Sequence, residues 1–374
     1  MFPKWIRSGR PALLTTIAVC CLTARAEEQP STGMLTLSLE GRKLEGQPLS
    51  WNEDEVHLLG RDGRLWRVEI GRIQNWQHSK ATFQAYEPSW FRAALLEELG
   101  KNYAVSGTSH YLVAHPQGQG EHWAQQLEDF YRSFVHFFAV RGFTPSRPPF
   151  PLVAVVCRNR ADFQRYTARS ASGLSGSSPL AGAEEVLGYY DRWSNRLVIF
   201  DMQGKAESTL WRENRAVLVH EATHQAAFNT GIHTRYCPPP LWLAEGLAMV
   251  FESSGVYAPH RDATAGSRVN AGRLQTFRRL PEKHLRWETL ASLVAEDVLF
   301  ERDPQAAYAL SWAMSFYLLE QEPAKYFGYL RRTAARTAFQ PYTKAERTGD
   351  FRAFFGDNWP LLHAHLLRFI NSLP

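Results

Sequence analysis

The segment VLVHEATHQAAF, residues 217–228, and the apolar segment PPPLWLAEGLAMVFE that follows it most constrain how this chain folds. The first places His220 and His224 four residues apart, so on an α-helix both imidazoles lie on one face. The second places Glu245 in an otherwise apolar helix, where an unpaired carboxylate is costly. The two segments therefore predict two packed helices with Glu245 directed at the histidines.

The predicted cluster has the composition of a metal site. His220, His224 and Glu245 are the three protein ligands of a His₂Glu zinc site, which leaves one coordination position for water. Glu221 stays close enough to take a proton from such a water, whose pKa zinc lowers to about 7. Two histidines on an exposed helix face are the other interpretation of the motif alone. Gly246 costs about 1 kcal/mol relative to alanine inside a helix, and a close approach of the two helices at the metal would explain that cost.

The HEATH and WLAEGLA motifs resemble those of the gluzincin, or peptidase-MA-like, metallopeptidases, and in particular a secreted bacterial group named domain-of-unknown-function family 1570. The resemblance extends over about residues 100–370 and includes the strand at 151–157, GYY at 188–190 and the helix YALSWAMSFYL. The stretch from Asn270 to Arg273 and the FFGDNWPLL ending are also similar.

The resemblance implies an α+β fold with a thermolysin-like zincin core. Such a core has a small sheet, the HExxH helix, a glutamate helix and a helical C-terminal half. It also implies one Zn²⁺ ion held by His220, His224 and Glu245, with Glu221 as general base. The substrate would be a peptide or protein.

Two further roles are left open by the motifs. Gluzincins supply a Tyr or His to the developing oxyanion, and Tyr308 is the candidate because the resemblance places its helix near the site. Packing within an apolar helix is the alternative for Tyr308, and Tyr317 is an equal rival. The carboxylate that often follows the glutamate ligand by one turn is replaced by Met249. Glu252, two turns after the ligand, is the alternative partner for one histidine.

The N-terminus has the features of a secretory signal. Three basic residues precede the short apolar run PALLTTIAVCCLTA, and Ala24-Arg25-Ala26 fits a signal-peptidase site. We therefore expect residues 1–26 to be cleaved and the protein to be periplasmic or extracellular; an uncleaved anchor is the alternative. The leader holds four basic residues and no acidic ones, so without it the net charge falls from +5 to about +1.

This low charge, with no basic run interleaved with aromatics, makes nucleic acid a poor candidate partner. No later apolar run reaches the length of a membrane span. Cys157 and Cys237 remain after cleavage, and pairing and separate buried thiols are equally compatible with the sequence. The sequence leaves the oligomeric state open.

Residues 27–80 are predicted to form a small β-barrel-like domain of SH3-like size. Its runs MLTLSL, KLEGQ, EVHLL and LWRVEI are strand-like, and Asp62-Gly63 indicates a hairpin turn. Residues 81–374 form the predicted metallopeptidase domain, in which the Gly/Ser-rich residues 168–183 are expected to be a surface loop or a flap. A binding role is possible for the β domain, and a structural appendage is the interpretation favoured here.

Three functions are compatible with these features. The leading one is a secreted zinc-dependent peptidase. A non-catalytic zinc-containing binding or envelope-scaffold protein is the alternative, which Glu221 argues against because a structural zinc needs no base and has four protein ligands. Recognition of a cell-envelope polymer or partner protein by the β domain ranks third.

Overall fold

The structure is a computed structural model, and it leaves the predicted leader and residues 172–183 of the predicted surface loop outside its description. Residues 168–171 of that loop are instead the last turn of the helix Arg160–Ala171, a correction to the loop's predicted start. No helix in the described part of the chain is both long and apolar enough to cross a membrane. The described residues are 33–119, 122–171, 187–201, 209–258 and 265–374.

The described residues form two compact units, which divide after Ala85. The first unit is an antiparallel sheet of five strands in the order β4-β3-β2-β1-β5. The four strands named from the sequence and the turn at Asp62-Gly63 are confirmed; the sequence is compatible with four or five strands, and the segment that forms β5 was not named. The SH3-like description and the boundary at residue 80 stay predictions. The strands are β1 Met34–Leu39, β2 Arg42–Trp51, β3 Glu55–Gly60, β4 Leu65–Glu69 and β5 Asn75–Ser79.

The second unit contains a mixed five-stranded sheet in the order β6-β7-β8-β10-β9. Its three inner strands are parallel, and both edge strands run antiparallel to their neighbours. The runs VLGYYD and NRLVIFD predict a hairpin around Arg192-Trp193-Ser194, and the structure confirms it as β9 and β10. The strands are β6 Tyr103–Gly107, β7 Tyr111–Pro116, β8 Leu152–Cys157, β9 Gly188–Asp191 and β10 Arg196–Phe200.

Taken alone, the segment NYAVSGTSHYLVAH predicts one strand, but it forms the β6–β7 hairpin. Glu128 explains the difference, since its buried carboxylate binds the turn from outside the segment. It accepts hydrogen bonds from Thr108 Oγ1 at 2.7 Å and from the His110 main-chain N–H at 3.1 Å. The turn is therefore stabilised by a residue about 20 positions later in the chain, which lies on a helix.

Thirteen α-helices of the second unit are described. The segment PSWFRAALLEELG predicts a helix that begins at a proline and ends at a glycine, and it is confirmed as Pro88–Leu99, followed by Gly100 with a φ of 77°. The predicted helical C-terminal half is confirmed as well. The helices are α1 Pro88–Leu99, α2 His122–Ala139, α3 Arg160–Ala171, α4 Thr209–Asn229, α5 Leu241–Phe251, α6 Ser254–Tyr257, α7 Ala271–Arg278, α8 Trp287–Ala295, α9 Val298–Arg302, α10 Pro304–Gln321, α11 Pro323–Ala334, α12 Lys344–Phe355 and α13 Trp359–Asn371. With its two sheets, the described chain is an α+β protein.

The glutamate helix α5 lies in the centre of the core and packs against α10. Gly246 permits this packing, because a Cβ atom at this position would lie 2.4 Å from the Ser311 carbonyl oxygen. The close approach that Gly246 predicts therefore exists, but it is to α10 and not to the HExxH helix at the metal. Cys157 and Cys237 are both buried and unpaired, which decides between the two alternatives left by the sequence.

Candidate metal centre

Helix α4 carries the HExxH motif and is fixed to the sheet by buried polar side chains. Gln225, next to His224, donates from Nε2 to the carbonyl oxygens of Val153 at 2.9 Å and Asn195 at 3.1 Å. Asn229 donates to Asn195 Oδ1 at 2.7 Å. Because these amides are buried and hydrogen-bonded, they hold one side of the helix against β8 and the β9–β10 hairpin.

Strand β9 lies directly against α4. A Cβ atom at Gly188 would lie 2.8 Å from Val217 Cγ1, so no larger residue fits between strand and helix. Two residues later, the Tyr190 main-chain N–H donates to Glu221 Oε2 at 2.7 Å. The edge strand therefore fixes the orientation of the Glu221 carboxylate, a contact that the sequence did not predict.

The structure brings His220, His224 and Glu245 together at one point between α4 and α5. The two Nε2 atoms of the histidines are 3.2 Å apart. Glu245 Oε2 lies 3.2 Å from His220 Nε2, and Glu245 Oε1 lies 3.4 Å from His224 Nε2. His220 and Glu245 expose 15% and 17% of their side chains, so the two residues are half-buried and not sealed in the core.

These spacings fit a metal ion. Zinc with bonds of about 2.0–2.1 Å holds tetrahedral ligand atoms roughly 3.3–3.4 Å apart. The three measured separations fall at or near that value, and the two that involve Glu245 end on different oxygens of its carboxylate. The donor set, two imidazole nitrogens and one carboxylate, is also one that zinc accepts. The three side chains are the one group of metal-binding type found among the described residues.

Glu252 contacts the other ring nitrogen of His220. Its Oε1 lies 2.8 Å from Nδ1, at the C-terminal end of α5 where the sequence offered it as an alternative to Met249. A carboxylate at Nδ1 favours the tautomer that carries its proton there and leaves the Nε2 lone pair available for a metal. Met249 is fully buried and takes no such part.

Asn270 and Arg273, which lie later in the chain at the start of α7, both approach Glu252. Asn270 donates from Nδ2 to Glu252 Oε2 at 2.7 Å, and an Arg273 guanidinium nitrogen lies 3.8 Å from Glu252 Oε1. Sequence reasoning noted this stretch only as part of a family likeness. The pattern Asn-Ala-Gly-Arg is a helix-start signal, but nothing local indicates that it meets the end of α5.

The charges of the site are strongly coupled. Burial disfavours a charge on His220, but hydrogen bonds to Glu245 and Glu252 outweigh it, so the pKa of His220 is raised. Burial also disfavours the charge of Glu245 and by itself would raise its pKa. The charge of His224 and the hydrogen bonds to both histidines outweigh burial, so the pKa of Glu245 is lowered. Burial raises the pKa of Glu221, while His220 and His224 oppose the increase.

Tyr308 and Tyr317 lie on opposite sides of α10, since nine residues turn a helix through about 900°. The pKa of Tyr308 is raised first by the charge of Glu245 and then by burial, with Glu221 contributing further. Tyr308 is therefore within electrostatic range of the site, and Arg273 Cζ lies 5.4 Å from its ring centroid. Tyr317 instead packs its ring against Phe369.

One family model and one solved structure are similar to parts of this chain. The family model described as "Protein of unknown function (DUF1570)" matches residues 214–340. No curated protein matches the chain. A crystal structure of a mutant two-domain M1 zinc metallopeptidase bound to L-arginine is similar over 72% of this chain, with 12% identity and a TM-score of 0.35. The chain spans half of the length of that protein.

Proposed function

We propose that this protein is an exported zinc-dependent peptidase of the gluzincin type. The observation that carries the proposal is the convergence of the two Nε2 atoms of His220 and His224 on the carboxylate of Glu245, with Glu221 held beside them. The thermolysin-like core, the cleaved leader and the SH3-like β domain are parts of the same proposal and rest on the sequence motifs.

His220, His224 and Glu245 would hold the zinc ion. Zinc at such a site supplies a Lewis acid that polarises a carbonyl and acidifies the attacking water. Glu221 accepts the proton of that water and later returns it to the leaving amine. The Tyr190 N–H occupies Glu221 Oε2, which leaves Oε1 as the oxygen that exchanges the proton.

Tyr308 is the proposed donor to the carbonyl oxygen as negative charge develops on it. Its hydroxyl stays protonated because the carboxylates of the site raise its pKa. A hydrogen bond that forms in the transition state lowers the barrier by about 3 kcal/mol. Tyr317 is excluded from this role by its place on the far side of the helix.

The test is cleavage of a mixed peptide library by the zinc-loaded protein, followed by mass spectrometry. Glu221→Gln is the matched control, because it keeps an oxygen for the Tyr190 N–H and removes the base. Products from the wild type and none from Glu221→Gln, with equal zinc content in both, are the expected result. Zinc bound by both proteins with no products from either would instead support the non-catalytic zinc-containing protein.

A further inference from the structure

Asn270 is the residue that precedes α7, and its amide makes three hydrogen bonds that join separate elements. Its Oδ1 accepts from the Arg273 N–H at 3.1 Å and so caps α7. Its Nδ2 donates to the Met249 carbonyl oxygen at 3.1 Å and to Glu252 Oε2 at 2.7 Å. One side chain therefore connects the start of α7 with the last turn of α5 and with Glu252.

Of the residues that cap helices well, asparagine alone makes all three bonds here. Asparagine offers one acceptor oxygen and two N–H groups, whereas aspartate offers no donor and serine offers one hydroxyl. Capping by itself accepts Asp, Ser or Thr nearly as well. An amide is thus required by the two hydrogen bonds that Nδ2 donates to Met249 and Glu252. The capping of α7 does not require it.

The donation to Glu252 fixes which oxygen is left for His220. With Oε2 bound by Asn270, Oε1 is directed at Nδ1 of His220 at 2.8 Å. Without Asn270 the carboxylate can rotate toward Arg273, whose guanidinium lies 3.8 Å from Oε1. The His220 ring would then lose the partner that holds its orientation and tautomer.

We propose that Asn270 is a positioning residue for the metal site, acting on His220 through Glu252. The inference rests on the proposed function, since it assigns His220 as a zinc ligand. It also implies that zinc binding and the order of the first turn of α7 are coupled, because the same amide takes part in both. Coupling of this kind is reciprocal.

The direct test is the zinc affinity of the full chain, measured by competition with a chromogenic chelator. Asn270→Ser keeps a helix cap and removes the amide donors. The expected loss is about tenfold, the lower end of the roughly 10- to 100-fold range for outer partners of metal ligands. Asn358→Ser is the matched control, because Asn358 caps α13 in the same way and is exposed; its zinc affinity should equal that of the wild type.

The route through Glu252 is tested by a double-mutant cycle. In a Glu252→Gln background, Asn270→Ser should cause little further loss of zinc affinity, because the intermediate partner is already impaired. Full additivity of the two losses would overturn the route, and unchanged affinity in Asn270→Ser alone would overturn the positioning role.

A second measurement needs no variant. Hydrogen exchange of the Arg273 amide in the wild type should slow by several-fold when zinc is added, while that of the Leu361 amide, capped by Asn358, should not. Equal rates at Arg273 with and without zinc would refute the coupling. Failure of the wild type to bind zinc at all would refute the proposed function instead, so the two failures are distinguishable.

Discussion

Replacing Gly246 by alanine tests whether the contact between α5 and α10 sets the position of Glu245. A Cβ atom at residue 246 would lie 2.1 Å from Ser315 Oγ and 2.4 Å from the Ser311 carbonyl oxygen. Both separations are far below ordinary van der Waals contact, so something must shift. The Ser315 side chain can rotate, but the Ser311 carbonyl belongs to the α10 backbone, and the two helices must therefore move apart.

The magnitude follows from two opposing terms. Overpacking a buried contact costs about 1–3 kcal/mol, and the clash with a backbone atom places Gly246→Ala at the upper end. Alanine regains about 1 kcal/mol of helix propensity over glycine. The free energy of unfolding of the zinc-free protein should thus fall by about 2 kcal/mol. Because Glu245 is the adjacent residue, its carboxylate moves with the helix and zinc affinity should fall as well.

Urea unfolding followed by fluorescence, in the presence of a chelator, measures the first effect. Gly349→Ala is the matched control, since Gly349 lies inside α12 with no atom within 4 Å of a Cβ; it should gain up to about 1 kcal/mol. Adding Ser315→Ala to Gly246→Ala should restore part of the loss, because one of the two closest contacts disappears. A Gly246→Ala protein with wild-type stability and zinc affinity would refute the reasoning.

Three other predictions concern chemistry, metal and pH. Tyr308→Phe should lower kcat by roughly 10²-fold at unchanged zinc affinity, whereas Tyr317→Phe should leave kcat unchanged; equal effects in steady-state assays would remove Tyr308 from the mechanism. Zinc at 100 times its Kd should raise the free energy of unfolding by about 2.7 kcal/mol, and Glu245→Gln should abolish this shift in thermal denaturation. Burial opposes the charge of Glu128, but hydrogen bonds from His110 and other partners lower its pKa overall. The ionised Glu128 carboxylate therefore stabilises the folded protein at pH values above the ordinary glutamate pKa of about 4.3. This stabilisation is lost as the pH falls through the pKa of Glu128 in the folded protein. Glu128→Gln should cost about 2–3 kcal/mol at neutral pH, and this difference should shrink in acid; a difference independent of pH would contradict the assignment.

The residues that sequence reasoning brought together are those whose relation is set within one helix. His220 and His224 share a face because the helical period places them there, whatever surrounds the helix. Glu252 lies seven residues after Glu245, which is close to two full turns, so it too follows from the period of α5. Glu245 already implied that α5 packs against α4, and this packing also brings Glu252 to 2.8 Å from His220.

The residues that were missed are joined by packing between distant parts of the chain. Strand β5 has the polar sequence NWQHS, which carries little strand signal, and it exists through its pairing with β1. The β6–β7 turn depends on Glu128 from α2. Asn270 reaches Glu252 from the start of another helix, and Tyr190 reaches Glu221 through a main-chain N–H, which every residue except proline carries. No local pattern encodes these contacts.

Gly246 shows how a local pattern can nevertheless indicate packing. A glycine inside an apolar helix is unfavourable by about 1 kcal/mol, so its presence next to Glu245 pointed to a neighbour too close for a side chain. The structure places the Ser311 carbonyl and Ser315 there. The same reasoning applies to Glu245, a carboxylate in a helix whose other residues are apolar or glycine. Gly246 and Glu245 are both unfavourable in the helix that carries them. Only a partner from another element compensates such a cost, so these two residues indicated the packing around the metal centre most directly.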